Sequence, residues 1–258
     1  MTRRYNSGKG RYYLLDGIRG ITLISMILYH AAWDLVYLLG VEWPWYHSDK
    51  AFVWQQSICW TFILLSGFCM TLSRHKWRRG FVVSGAGFLV TAATLVFLPQ
   101  DKVVFGVLTF LGSAMLVTAL LEQWLERVHP IVGMGVCSVL FYVFRWVNHG
   151  YLQLWQGECM SLPSAGYHGF LGAFWGFPGS DFYSTDYFSF LPWIFLFWFG
   201  MYLGCLTKRL GDWKQGVLGI NAAPLTWMGQ HSLLIYLAHQ PVLYMAVVLV
   251  KTYLPGLL

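Results

Sequence analysis

Charge is what this 258-residue chain lacks most. Only 11% of its residues are Asp, Glu, Lys or Arg, whereas 57% are apolar and 19% are aromatic. A typical soluble domain carries about a quarter charged residues, so this chain has too few polar side chains to cover a surface in water. A water-soluble globule is therefore excluded. The net charge of +6 comes from clustered basic residues, which the topology of a membrane protein explains without a nucleic-acid partner.

Cysteine is also scarce, and its arrangement excludes a metal-binding or redox motif. Four of the five cysteines stand inside apolar runs, and Cys159 stands in the long connection between residues 148 and 186. No CxxC motif and no Cys/His ligand spacing occurs. We interpret the four as small buried apolar residues and expect no metal.

Long apolar runs are abundant instead. A helix needs about 20 mostly apolar residues to cross a bilayer, and seven such runs occur, at residues 14–39, 52–72, 81–98, 103–121, 129–147, 187–206 and 231–250. The shorter apolar stretch Ala165–Phe177 predicts a re-entrant or lid segment on the outer side. The sequence thus predicts an all-α polytopic membrane protein of seven or eight transmembrane helices, with residues 1–258 forming a single domain.

Basic residues predict the orientation of these spans. Twelve Lys and Arg lie on alternate connections, against three on the other side. The N-terminus is therefore predicted to be cytoplasmic and the C-terminus external, in a cytoplasmic (inner) membrane of bacterial type. The twelve are Arg3, Arg4, Lys9, Arg11, Arg74, Lys76, Arg78, Arg79, Arg127, Lys208, Arg209 and Lys214.

The first span carries a stripe of ionisable residues, namely Asp16, Arg19, His30 and Asp34. At about 100° per residue all four share one helical face, and Arg19 lies about 16 Å along the axis from His30. Charged groups inside a span are costly and normally face the protein interior. The stripe therefore predicts the wall of a polar passage across most of the membrane.

Two interpretations of the stripe stay open. Arg19 offers a planar fork for a phosphate or carboxylate, and Asp34, one turn after His30, is placed to orient the imidazole as a base. Alternatively, Asp16 and Arg19 form a structural ion pair, and His30 and Asp34 are a satisfied polar pair in the core.

Polar residues in two other spans are further candidates. Ser232, Tyr236 and His239 share one face of the last span, where they bind substrate or hydrogen-bond a neighbouring helix. Arg145, followed by Asn148, needs an anionic partner if it is buried. Asp34, Asp181 and Asp186 are the available carboxylates.

The first span resembles the opening of the transmembrane acyltransferases. Those proteins carry an Arg and a His on their first helix with ten residues between them, as do Arg19 and His30 in the runs Leu15–Gly20 (LDGIRG) and Met26–His30 (MILYH). Further blocks resemble the bacterial relatives of heparan-α-glucosaminide N-acetyltransferase. They are WQQS at 54–57, LSG at 65–67, FGVLTFLG at 105–112, STDYF at 184–188, LPW at 191–193 and HSLLIYLAHQP at 231–241.

This resemblance implies a membrane acetyltransferase that moves an acetyl group from cytosolic acetyl-CoA to an amine or hydroxyl of an extracytoplasmic amino sugar or glycan. The two family patterns nominate different active histidines, because the lysosomal relatives have Asn at the position of His30 and a loop histidine at that of His47. We rank His30 first and His47 second, with Asp34 as the partner of His30.

The resemblance also suggests which residues bind each substrate. Binding of acetyl-CoA is assigned to Asp16, Arg19, Arg74, Arg78, Lys208 and Arg209, of which the basic residues hold its phosphates. The basic cluster at 74–79 is, however, ordinarily topology and headgroup charge. The acceptor is assigned to Arg145, Asn148, Asp186, Ser232, Tyr236 and His239. A homo-oligomer is left open, and the alternative function is a small-solute or proton-coupled transporter without acyl chemistry.

Overall fold

Long apolar helices make up most of the fold. The computed structural model describes residues 12–154, 159–211 and 221–253. Within these ranges, six α-helices are long and apolar enough to cross a membrane, and α5 forms a seventh candidate span together with the residues up to His149. The prediction of an all-α polytopic membrane protein is confirmed. The helices are α1 Tyr13–Tyr37, α2 Asp49–Met70, α3 Lys76–Phe97, α4 Val107–Leu125, α5 Pro130–Phe144, α6 Gly169–Trp175, α7 Phe190–Leu210, α8 Ala223–Gln230 and α9 Ser232–Tyr253.

The long connection after α5 contains a β-hairpin that the sequence did not predict. Strand β1 (Tyr151–Gln153) pairs antiparallel with β2 (Cys159–Ser161). Three-residue strands are too short to leave an alternating pattern. The stretch Ala165–Phe177 contains the short helix α6, and its action as a lid stays a prediction.

Two helices begin three or four residues later than the sequence predicted. Helix α4 starts at Val107 rather than Val103, because Phe105 has a positive φ of 56° that an α-helix does not accommodate. Helix α7 starts at Phe190 rather than Tyr187. The backbone N–H of Phe188 donates to the carbonyl of Phe105 (2.8 Å), so the chain before α7 is held by the α3–α4 connection. Five of the basic residues used to predict the orientation lie outside the described residues, namely Arg3, Arg4, Lys9, Arg11 and Lys214.

The chain divides into two compact units, Met1–Phe62 with Leu210–Leu258, and Ile63–Arg209. In the first unit α8 lies directly on α1. A Cβ on Gly20 would stand 2.1 Å from the carbonyl oxygen of Leu225, and a Cβ on Gly229 would stand 1.8 Å from that of Asp16. Only glycine permits this backbone approach at the two positions.

Glycines also set the helix contacts of the second unit. A Cβ on Gly67 of α2 would stand 1.9 Å from the carbonyl oxygen of Phe197 in α7, and one on Gly112 of α4 would meet the α3 residue Ser84 at 2.3 Å. Small residues at such contacts are typical of helix packing in membranes. The two units account for the predicted spans, and a single domain over residues 1–258 stays a prediction.

The close contact of α1 with α8 predicts that Gly20→Ala and Gly229→Ala destabilise the protein. Each added methyl group would force the helices apart, which typically costs about 1–3 kcal/mol. Thermal unfolding in detergent should show a lower Tm for both variants. Gly17→Ala is the matched control on α1, because a Cβ there meets nothing within 4 Å. An unchanged Tm for Gly20→Ala and Gly229→Ala would contradict the packing.

Candidate active site

Four polar side chains come together where α9 lies against α1 in the first unit. Gln240 Nε2 donates a hydrogen bond of 3.0 Å to Asp34 Oδ1. One residue earlier on α9, the His239 ring lies against the His30 ring, with 4.9 Å between centroids. Asp34 is 2% exposed and His239 is 8% exposed. We call His30, Asp34, His239 and Gln240 the polar cluster.

The polar cluster holds more hydrogen-bond acceptors than donors. Asp34 Oδ2, His239 Nε2 and Gln240 Oε1 are buried and have no hydrogen-bond partner among the residues that the structure describes. A buried acceptor without a partner costs about 1–3 kcal/mol. Two of these atoms belong to the bonded pair Asp34 and Gln240, and the third belongs to the neighbouring residue His239. All three can accept a hydrogen bond from a bound donor.

His239 is held by its own helix. Its Nδ1 contacts the backbone carbonyl of Tyr236, and because a carbonyl only accepts, Nδ1 carries the proton. The lone pair of the neutral ring is therefore on Nε2, which is the form that can accept a proton.

The structure corrects the predicted contact between His30 and Asp34. The bonded oxygen of Asp34 accepts from Gln240, and the His30 ring packs on His239 instead. Both contacts come from α9, 206 residues further along the chain than Asp34. The spacing within one helix predicted that the stripe faces the interior, which the structure shows, but it carried no information about the partner helix.

Asp16 and Arg19 form an ion pair at the start of α1. Arg19 Nη1 lies 3.1 Å from Asp16 Oδ1, and the Arg19 side chain is 14% exposed. The distance thus agrees with the interpretation that Asp16 and Arg19 form a structural ion pair. Binding of a phosphate by Arg19 stays a prediction.

His47 lies outside the polar cluster. It ends the turn Pro44–His47 and is exposed, with its ring edge-on to Tyr37 and Tyr46. Tyr46 is buried, and burial, together with the nearby Tyr29 hydroxyl, raises the pKa of Tyr46 above its ordinary value. Rings of Tyr46 and Tyr29 lie 5.4 Å apart. Aromatic contacts therefore connect the two histidines that the family patterns nominate.

The other candidates on α9 lie close to the cluster in the chain. Tyr236 supplies the carbonyl that orients His239, and the two rings are 5.3 Å apart. Ser232 is partly buried at the first residue of the helix. Their contact with an acceptor stays a prediction.

Arg145 and Asn148 lie in the second unit. The Arg145 guanidinium stands over three aromatic rings, those of Phe141, Trp146 and Trp193, at 4.9–5.8 Å from their centroids. Such cation–π contacts stabilise a cation in apolar surroundings. Asn148 Oδ1 accepts from the fully buried Ser189 (2.9 Å) and fastens the segment before α7.

Asp186 caps α4 in the second unit. Its Oδ2 accepts from the backbone N–H of Val107 (3.1 Å), which satisfies a free donor at the helix start. Asp186 was one of three carboxylates that the sequence offered as a partner for Arg145, and its carboxylate lies at this helix end. Burial raises the pKa of Asp186 to about 6, and the Val107 N–H opposes this shift.

Exposed basic residues gather at one end of the second unit. Lys208 donates to the carbonyl of Thr71 at the end of α2, and Arg209 follows it. Arg74 and Arg78 lie just beyond Thr71, and all four side chains are exposed. Positive charge at this end is suited to binding phosphate groups. Contact of these residues with acetyl-CoA stays a prediction.

Within the described ranges, no group of three or more His, Cys, Asp or Glu residues is arranged to hold a metal ion. The polar cluster contains two histidines and one carboxylate, and its fourth member is the amide of Gln240. Its side chains carry hydrogen-bond donors and acceptors.

Seven candidate spans and a buried polar cluster define the class of this chain, a polytopic membrane protein with an ionisable site within its helices. The chain belongs to the family described as heparan-alpha-glucosaminide N-acetyltransferase, catalytic, which matches residues 11–241. The family is one of membrane acetyltransferases. No curated protein and no solved structure matches the chain.

The raised pKa of Asp186 predicts a pH-dependent stability. The folded protein holds this proton up to about pH 6, whereas the unfolded chain releases it near 3.8. The unfolded state therefore binds fewer protons between these values, and stability falls as the pH rises through them. Asp186→Asn keeps an oxygen to accept from Val107 and should lose this part of the pH dependence.

Thermal unfolding in detergent from about pH 4 to pH 7 measures the effect. The Tm of the wild type should decrease relative to that of Asp186→Asn across this range. Asp181→Asn, an exposed carboxylate in the same connection, serves as the control and should follow the wild type. Parallel curves for the wild type and Asp186→Asn would refute the role of burial.

Proposed function

We propose that this protein transfers an acetyl group from cytosolic acetyl-CoA to an amine or hydroxyl of an extracytoplasmic acceptor, an amino sugar or glycan. The family supports acetyl transfer in general. The polar cluster is the single observation that carries the site, because unpartnered acceptors on contacting side chains suit a reaction that moves protons within the membrane.

Binding of the donor is assigned to the basic residues. Arg19 lies in the first unit, and Arg74, Arg78, Lys208 and Arg209 lie in the second. Guanidinium and ammonium groups bind phosphates by charge-assisted hydrogen bonds. The rise of α1 places Arg19 about 16 Å from His30 along the helix axis, a separation that suits a donor with phosphates at one end and a thioester at the other.

The chemistry is assigned to His30 and Asp34. A neutral imidazole removes the proton from the acceptor as the new bond forms, which typically contributes about 10²–10⁴-fold to the rate. The carboxylate of Asp34 is buried in the same cluster, where its negative charge favours the imidazolium that results. His47 is the second candidate for the active histidine.

The orientation proposed here is that of a bacterial-type cytoplasmic membrane with a cytoplasmic N-terminus. In this orientation Arg19 is near the cytoplasm and His30 lies beyond the middle of the bilayer, so the donor and the acceptor arrive from opposite sides. A transporter without acyl chemistry is the alternative. Purified protein that neither transfers nor hydrolyses the acetyl group of acetyl-CoA would favour the transporter.

His30 is the residue proposed to act as the base. His30→Ala should bind acetyl-CoA like the wild type but transfer acetyl on the order of 10²-fold more slowly, because the proton acceptor is lost. Transfer from labelled acetyl-CoA to glucosamine by purified protein measures the rate. His129→Ala replaces an exposed histidine of the other unit and should be unaffected. Wild-type turnover by a folded His30→Ala protein would remove this assignment.

The negative charge of Asp34 is proposed to favour the imidazolium form of His30. Asp34→Asn retains an oxygen that can accept from Gln240, so the contact of α1 with α9 should persist and the donor should still bind. Turnover should fall about tenfold or more, which corresponds to at least about 1.4 kcal/mol of lost transition-state stabilisation. Asp49→Asn, an exposed carboxylate of α2, is the control. Unchanged turnover would show that the charge is dispensable.

A further inference from the structure

His239 has the features of a proton acceptor, although the sequence alone assigned it only to acceptor binding. Its Nδ1 proton is held by the carbonyl of Tyr236, so the free lone pair is on Nε2. That nitrogen is buried and has no hydrogen-bond partner in the described part of the chain. A buried base with a fixed tautomer is costly to maintain in a span.

The surroundings of His239 hold it next to the other candidate base. The His30 ring lies 4.9 Å away, between centroids, and the bond from Gln240 to Asp34 fixes α9 against α1 one residue further along. Of the titratable residues that the structure describes, His30 on α1 and Tyr236 on the same helix have rings against His239, and Asp34 on α1 contacts the next residue, Gln240. Two imidazoles thus lie side by side, that of His239 buried and that of His30 partly buried.

If the substrate that receives the acetyl group is an amine, its nitrogen must lose two protons. The site therefore needs two groups that can take a proton. Aliphatic amines are mostly protonated at neutral pH, so R–NH₃⁺ must lose one proton before it can attack the thioester. After the N–C bond forms and the C–S bond breaks, the nitrogen must lose a second proton. The thiolate of CoA takes one of the two, and the other leaves as H⁺.

We propose that His239 Nε2 takes the first proton from the ammonium form of the acceptor, and that His30 transfers the second from the nitrogen to the departing sulfur. The products are the amide, CoA-SH and one proton on His239, which is then released. The proposal rests on the function proposed above. It assigns each imidazole a separate step and makes His239 a catalytic residue.

The chain offers a matched control in His231. Its Nδ1 also contacts a backbone carbonyl, that of Trp227 at 2.9 Å, and its ring packs on that tryptophan at 4.6 Å. His231, however, is exposed at the start of α9. A His→Asn variant at this position therefore makes the same local change without touching the polar cluster.

The closing experiment uses His239→Asn. The amide nitrogen of Asn can still donate to the carbonyl of Tyr236, but no basic nitrogen remains at the position of Nε2. The ratio kcat/KM for glucosamine is measured with acetyl-CoA from about pH 6 to about pH 9, across the range in which an amine loses its proton. His30→Asn and His231→Asn are measured in parallel, and binding of acetyl-CoA confirms that each variant is folded.

The expected result is a loss in His239→Asn that depends on pH. At about pH 6 the loss should be on the order of 10²-fold, and it should shrink as the pH rises, because the acceptor then arrives as the free amine. His30→Asn should lose activity across the whole range, and His231→Asn should follow the wild type. An equal loss in His239→Asn at every pH, or no loss, would overturn the proposal.

The two levels of failure are distinguishable. A wild-type protein without acetyl transfer would refute the proposed function, and this inference with it. An active wild type together with a pH-independent His239→Asn profile would refute the inference alone. If His239→Asn does not fold, His239→Gln is measured in its place, and the same pH trend is required.

Discussion

The hydrogen bond between Asp34 and Gln240 is the constraint on which the candidate site depends. A buried carboxylate in a membrane span, such as that of Asp34, is strongly unfavourable unless a polar group meets it. Because the partner is on α9, that helix must lie against α1 at this level. The neighbouring residue His239 is then brought to His30, so that a requirement of burial also assembles the two imidazoles.

The approach of α8 to α1 is a second consequence of packing in this unit. Gly20 and Gly229 each leave room for a carbonyl oxygen of the facing helix. The second glycine of the LDGIRG run therefore has a packing role, whereas Asp16 and Arg19 of the same run carry the charges. One short motif thus combines a helix contact with an ion pair, and similarity of such a motif does not by itself separate structure from chemistry.

In the second unit, candidates that the sequence assigned to the acceptor have structural contacts. Asp186 caps α4, and Asn148 accepts from the buried Ser189 before α7. Buried polar groups need hydrogen-bond partners in a connection as much as inside a span. A buried backbone donor left unpaired, such as the N–H of Val107 without Asp186, would cost free energy. The STDYF block is accordingly a piece of loop architecture as well as a family signature.

The sequence by itself determined the seven spans, the inward face of the first helix and the family, because hydropathy, helical periodicity and motif blocks are all local properties of the chain. It placed His30 and Asp34 on one face but paired them with each other. Only the tertiary structure decided that Asp34 meets Gln240 and that His30 meets His239, and it added α8 and the β-hairpin. Contacts between helices some 200 residues apart depend on how the helices pack, which spacing along one helix does not record.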